Sequence, residues 1–265
     1  MAHGFKGACY CPTSACATSN HAIGEAYRNI KHGYLDAAVA GGCEAAITTF
    51  SVSAFANMTA LFTGDDVDRA SIPFDAERSG FVMGEGAGIV VLESLTSAKK
   101  RGATIYAEIV GYGATGDAYH ITSPDPDGKG AAKAMELAMT EGNLSAQDIT
   151  YINAHGTSTP LNDKYETGAI KNTFGEYAKK IPVSSTKSMT GHLLGAAGGV
   201  EAIITALALI DDIVPPTAGY KTPDPDCDLD YVTEGARKTK MIAALSNGFG
   251  FGGHNASICI KKYID

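Results

Sequence analysis

The feature that most constrains this chain is its glycine, scattered singly through apolar runs such as Gly80-Phe-Val-Met-Gly-Glu-Gly-Ala-Gly88. There are 31 glycines in 265 residues, about 12% against a norm of about 7%. They follow no collagen period and form no Gly/Ser linker. Single glycines among alanines mean close backbone approach and tight turns. With 45% apolar residues, that pattern excludes disorder, coiled coil and collagen. The length suffices for one large domain or two small ones with a substantial core.

Between the glycines, helical and extended patterns alternate. Ala22, Ile23, Ala26, Tyr27 and Ile30 recur at helical spacing, with Lys31 and His32 in the last turn and Gly33 as the stop. Ala131, Ala134, Met135, Ala138 and Met139 predict a second helix, closed by Gly142. Leu193 to Ile210 predicts a helix apolar nearly all round, hence deeply buried. Ala37 to Gly41 and Gly88 to Leu92 are short apolar runs of the buried-strand kind. Ile105 to Val110 and Ile149 to Ala154 predict strands, and Met241 to Ser246 and Ser257 to Lys262 predict two more joined by a glycine-rich turn. The sum is an α/β fold with sheets covered on both faces. No linker-like composition break and no fixed-period repeat interrupts it.

The net charge of −8, without any cluster of basic residues, argues against a nucleic-acid partner. No signal-peptide pattern opens the chain. The longest apolar stretch, Gly195 to Ile210, carries Glu201 and is short for a membrane span, so no membrane role is expected. Six cysteines in a chain this long are not a disulfide framework, and the expected compartment is the cytoplasm. Cys9, Cys11 and Cys16 lack the paired C-x2-C spacing of a zinc site, so no metal is expected.

Four segments could carry chemistry. In Thr13-Ser-Ala-Cys16-Ala-Thr-Ser19 a thiol precedes a helix, whose positive end favours thiolate; the bland alternative is a structural cysteine. Tyr151-Ile-Asn-Ala-His155-Gly-Thr-Ser-Thr159-Pro-Leu-Asn-Asp163 places an imidazole at a strand end before small hydroxyl residues. Ser184-Ser-Thr-Lys187-Ser-Met-Thr-Gly-His192 leads into the apolar helix, where Glu201 is a partner for a Lys187 drawn into apolar surroundings. Asn247-Gly-Phe-Gly-Phe251-Gly-Gly-His-Asn255 matches G-x-G-x-x-G. A strand-like run follows it where a dinucleotide site needs a helix, so its glycines suit an oxyanion pocket instead. The acidic stretches Asp65 to Asp68 and Asp224 to Asp230 read as solvated loops.

Taken in this order, the segments resemble the β-ketoacyl-acyl-carrier-protein synthases of types I and II, closest to type II, within the thiolase-like superfamily. The residues that carry the resemblance are Ser14-Ala-Cys16-Ala-Thr-Ser, Ala40-Gly-Gly-Cys-Glu44, Gly80 to Gly88, Asn153-Ala-His155-Gly-Thr-Ser-Thr, Lys187-Ser-Met-Thr-Gly-His192 and Gly248-Phe-Gly-Phe-Gly-Gly253. Two histidines beside the cysteine select the elongating branch. The resemblance implies a layered αβαβα fold, with the end of a first half over roughly 1–100 and a complete second half over roughly 101–265. It implies decarboxylative Claisen condensation through an acyl-Cys16 intermediate. His155 and His192 would assist decarboxylation, and Lys187 with Glu201 would orient them. The amides of Cys16 and Phe251 would hold the oxyanion, with Phe251 also a gate, Asp163 supporting, and Thr157 and Thr159 holding a phosphopantetheine arm. It implies no cofactor of the protein's own, acyl carrier protein as partner, and a homodimer.

The departures from the family pattern set further expectations. Only about fifteen residues precede Cys16, which predicts that the first third of a family chain is absent and that sheet edges and apolar faces are open. Pro12 replaces a branched apolar residue, Ile72 an arginine before Pro73, and His254 a common threonine. Thr59 and Gly64 stand where basic residues help dock an acidic carrier. Two other readings therefore stand beside the condensing enzyme: a non-catalytic or truncated fragment that needs a missing segment or partner, and a polyketide ketosynthase.

Overall fold

The computed structural model describes residues 4–265. A 3-10 turn (Ala15–Ala17) leads into α1 (Thr18–Lys31), followed by β1 (Ala37–Glu44), α2 (Thr49–Asn57), β2 (Gly86–Glu93) and α3 (Leu95–Lys100). Then come β3 (Glu108–Gly116), α4 (Lys129–Glu141), β4 (Ile149–Asn153), α5 (Pro160–Phe174), β5 (Val183–Ser184) and α6 (Lys187–Thr190). A second 3-10 turn (Leu194–Ala196) enters α7 (Ala197–Asp211), and β6 (Ile213–Val214), β7 (Arg237–Lys238), β8 (Ala243–Gly250) and β9 (His254–Lys261) complete the order. Gly33, at φ 77°, ends α1 where the sequence places the stop.

The main sheet has the order β3-β9-β8-β4-β5, antiparallel across β3, β9 and β8 and parallel across β8, β4 and β5. α4 and α5 cover one face through Met135, Ala138, Ala169 and Ile170 against Ile149, Ile152 and Leu245. α1 and α7 cover the other through Ile23, Ala202 and Leu209 against Tyr151, Ala244 and Ile258. The same two helices also carry the antiparallel β1–β2 ribbon on Ala40, Val90 and Leu92. Glycine makes the layers this close. A Cβ at Gly111 or Gly113 of β3 would stand 1.9 Å from the Ala138 or Ala134 carbonyl of α4.

Five expectations change. The β1–β2 ribbon is not covered on both faces: Val39 is 56%, Ile89 50% and Val91 66% exposed on its outer side. Strands alternate faces, and among the described residues α1 and α7 cover only the inner one. The strand expected over 105–110 is Glu108–Gly116, because β9 ends opposite Glu108 and leaves 105–107 unpaired. β8 and β9 run through the glycine segment, so the turn shrinks to Phe251-Gly-Gly253. The apolar helix begins as a 3-10 turn and is not buried all round, with Leu207 and Ile210 partly exposed. Over Leu194–Asp211 it is long and apolar enough to cross a membrane by length and composition, yet 61% of that stretch is buried inside the protein. Finally, the acidic loop from Asp224 to Asp230 is pinned by Arg78, Lys164, Lys171 and Arg237.

Candidate active site

Cys16 lies in the first 3-10 turn, just ahead of α1. Ala15 is forced to φ 48°, left-handed for a residue with a Cβ. The turn is held by the Ala17 amide on the Ser14 carbonyl at 3.1 Å, the Ser14 amide on Thr18 Oγ1 at 3.0 Å, and a 3.0 Å bond between Ser14 Oγ and His21 Nδ1. Strand β8 braces it from below, since a Cβ on Gly250 would meet the Ser14 carbonyl at 2.7 Å and the Cys16 amide at 3.0 Å. The amides of Phe251 and of Cys16 itself act on the sulfur, each holding the thiol's pKa down a little.

His155 stands in the loop between β4 and α5, where the chain turns sharply at Gly156 (φ 37°) and Ser158 (φ 69°). Two buried carboxylates hold that loop. Glu166 accepts from the His155 and Gly156 amides, both at 2.8 Å, and Asp163 from those of Thr157 and Ser158 at 3.0 and 3.2 Å. Thr157 Oγ1 and Thr159 Oγ1 lie 2.9 Å apart at its end. His192 follows α6, and its backbone bonds Val82 and Gly84, so the glycine-rich 80–88 segment serves as its seat. The two imidazoles lie 5.3 Å apart at 84°, and Phe81 closes on His192 at 5.3 Å.

Ligating atoms of Cys16, His155 and His192 all lie within 4.8 Å of one another. Beneath them Lys187 Nζ donates to Glu201 Oε1 in a buried ion pair. Three segments far apart in sequence thus meet at the N-terminal ends of α1 and α7, with Phe251 half-buried at the rim.

Burial governs the charges here. It pushes the Cys16 thiol up to about 11, against lesser lowering by Lys187 and the two amides. That direction opposes the expectation that the helix terminus favours a thiolate at the half-buried Cys16. Burial, and then the Lys187 charge, hold His155 and His192 well below the ordinary imidazole range, so both rings are neutral at pH 7. The Leu194 amide donates to His192 Nδ1 at 3.3 Å, which leaves the neutral ring's proton on Nε2. A ring so fixed is a hydrogen-bond donor to an oxygen, whereas a metal ligand needs that nitrogen bare.

The sequence reading missed Glu166, one helical turn beyond Asp163. Besides the two amides it accepts from Asn247 Nδ2 at 3.2 Å, and burial raises its carboxyl to about 7. The available signal was the Asp163-x-x-Glu166 spacing directly after the histidine loop. It also missed Arg78, buried against the same loop. Ile72, at the position of the family's arginine, is buried and its amide donates to Ser158 Oγ at 2.9 Å.

The fold and the site define a thiolase-like α/β protein whose architecture matches solved ketosynthases. One of these, a type II PKS acyl-carrier protein in complex with its ketosynthase bound to the hexaketide, superposes with a TM-score of 0.94 at 40% identity over 96% of this chain and 62% of that one. A beta-ketoacyl synthase from Burkholderia phymatum gives 0.89 at 41% identity, covering 95% of this chain and 61% of that one. Family models described as Beta-ketoacyl synthase, N-terminal domain, and Beta-ketoacyl synthase, C-terminal domain, match residues 1–98 and 106–221. The chain belongs to the beta-ketoacyl synthase family. It is 55% identical to 3-oxoacyl-[acyl-carrier-protein] synthase 2 of Staphylococcus aureus over 260 residues, 98% of this chain, and equally similar to the protein of that name from Synechocystis over 261. It spans 63% of the length of each of these relatives.

Proposed function

We propose that the chain carries the site of a condensing acyltransferase that elongates an acyl thioester with a malonyl unit in fatty acid synthesis. The observation that supports this is the meeting of Cys16, His155 and His192 beneath two backbone amides. Cys16 sulfur attacks the acyl thioester carbonyl, the C–S bond to the carrier thiol breaks, and the thiol proton leaves with that sulfur. The amides of Cys16 and Phe251 hold the oxyanion of this transfer. A malonyl thioester then binds with its carbonyl oxygen on His155 and His192. Loss of CO2 leaves an enolate that those two N–H groups stabilise without carrying charge themselves. Its carbon attacks the acyl-cysteine carbonyl, the C–C bond forms as the C–S bond to Cys16 breaks, and the released thiolate takes a proton from water. The Lys187–Glu201 pair orients the histidines, burial and then the Lys187 charge keep them neutral, and Thr157 with Thr159 holds the phosphopantetheine arm.

No metal or bound cofactor enters this scheme. Its partner is acyl carrier protein in the acyl and malonyl forms, in the cytoplasm, with a homodimer as the working assembly. Fatty acid elongation is favoured over polyketide synthesis by identity, 55% to the 3-oxoacyl synthases against about 40% to the hexaketide-bound ketosynthase. The test is exposure to an acyl thioester and then a malonyl thioester, with mass spectrometry of the Cys16 peptide and measurement of CO2. An acyl mass on Cys16, discharged only when CO2 is released, is expected; a Cys16 that never gains mass refutes the scheme.

One observation favours a second reading, that catalysis needs a further segment or partner. The bare face of β1–β2 borders an open cleft of about 550 Å³ lined by Cys43, Glu44 and Ala87. On that reading acylation by the chain alone stays far below that of a full-length relative.

A further inference from the structure

The geometry points to Arg78 as a positioning residue that holds the Thr157–Thr159 arm of the site in its binding shape by acting through Asp163. It deepens the reaction proposed above and rests on that reading for the identity of what the threonines bind.

Arg78 is buried, and its guanidinium is almost fully used. Nε donates to the Thr159 carbonyl at 3.1 Å and Nη2 to that of Pro160 at 2.9 Å, the cap and first residue of α5. Nη1 donates to the Asp75 carbonyl at 2.8 Å and to Asp224 Oδ2 at 2.5 Å. Nε lies 3.6 Å from Asp163 Oδ2. The planar fork therefore joins the Asp75 turn, the acidic loop and the start of α5 in one rigid knot, which a lysine's single ammonium cannot reproduce.

Asp163 is the other half of the device. Its two oxygens accept from the amides of Phe74, Thr157 and Ser158 at 2.8, 3.0 and 3.2 Å. Two of those residues, Phe74 and Ser158, sit at φ 66° and 69°, strained conformations that need an external hold. An anion buried under three amides supplies it, provided it stays charged. Burial raises the Asp163 carboxyl, and the Arg78 charge is the leading influence that lowers it. The other ionisable groups that face it are Asp224 beyond Arg78, Glu166 on α5, Cys227 in the acidic loop and Tyr231 just after it. None of these is a cation. Without Arg78 the carboxyl protonates at higher pH and the threonine arm loosens.

His155 is held separately, by Glu166 on its own amide and that of Gly156. Loss of Arg78 should therefore weaken the grip on the substrate arm and leave the acyl-transfer chemistry intact. That separation distinguishes positioning from general support of the fold.

The experiment compares the full chain with Arg78→Gln and Arg78→Lys. Hydrogen exchange is followed at the Phe74, Thr157 and Ser158 amides across pH 5 to 8. Cys16 acylation is followed with an acyl-pantetheine thioester and with an acyl-N-acetylcysteamine thioester, which lacks the arm's distal part. In Arg78→Gln the three amides should lose protection about tenfold, the scale of one charge-assisted hydrogen bond, and lose more as pH falls. Protection at His155 and Gly156 should hold, the pantetheine thioester should lose its rate advantage, and the short thioester should react as before. Arg78→Lys should lie between.

Unchanged protection at Thr157 and Ser158 overturns the inference. So does an equal loss at His155 and throughout β4 and β8, or an equal slowing of both thioesters. Failure of the unsubstituted chain to react with either thioester refutes the proposed reaction instead, and the exchange results still decide what Arg78 holds.

Discussion

The unit α1–β1–β2 and the unit α7–β8–β9 are built alike and buried differently. Each helix is entered through a 3-10 turn whose first residue is left-handed without being glycine, Ala15 at φ 48° and Leu194 at φ 49°. Each helix precedes an antiparallel strand pair. The turns even exchange supports. Gly250 of β8 lies under the Cys16 turn, and Gly42 of β1 lies under Gly195, where a Cβ would meet the carbonyl at 2.6 Å. Cys16 and Gly195 thus occupy matching places, and only one carries a thiol. Yet β8 and β9 have β4 and β3 as neighbours and are almost wholly buried, while among the described residues β1–β2 has no third strand and shows Val39, Ile89 and Val91 on its outer side. Burial follows from the neighbours a strand acquires, since both pairs are rich in small residues.

The sharpest way to break this comparison is to cut equivalent apolar side chains. Leu245→Ala, fully buried in β8, should lower stability by about 2–5 kcal/mol, read by chemical denaturation. Ile89→Thr on the ribbon should change it by no more than about 0.5 kcal/mol. Equal losses would mean that the ribbon's outer face is covered in solution. Next in size, Gly250→Ala forces a Cβ onto the backbone beneath Cys16 and should abolish its acylation. A Gly250→Ala protein that acylates normally would show that the turn has room to move. A smaller effect distinguishes the strands by exchange: Ala38 to Ala40 amides should be less protected than those of Ala244 to Ser246.

The pH behaviour sharpens the same contrast at the site. With the thiol pushed up to about 11, alkylation of Cys16 by iodoacetamide should be slow at pH 7 and climb until near that value. Glu166 supplies a sign that can be checked. Its folded value, about 7, lies above the ordinary 4.5, so the folded state binds the extra proton between them. Its contribution to stability is complete below about 4.5 and is lost as pH rises through 7. Glu166→Gln should remove that slope from the stability curve.

The residues that cluster were easier to read from the sequence than the strand ends were. Cys16, His155, Lys187 and His192 are reactive types placed in loops and short turns beside apolar elements, a local pattern that survives without knowledge of the fold. Glu166 and Arg78 escaped because a carboxylate in a helix and an arginine in a loop read as surface groups until a buried loop is found between them. Gly248 and Gly250 read as a turn because their strand character depends on α1 lying against them: a Cβ on Gly248 would strike Asn20 at 2.5 Å. Burial of the thiol was likewise invisible, since the helix end that favours thiolate is local and the desolvation that defeats it is tertiary.

The most direct measurement is the mass of the Cys16 peptide after incubation of the chain with an acyl-pantetheine thioester, alongside Cys16→Ala. One acyl group on Cys16 and none on Cys9, Cys11 or Cys43, which are exposed and have no matching cluster among the described residues, is the result predicted here. Acyl mass spread over the exposed cysteines, or absent from Cys16, would contradict it.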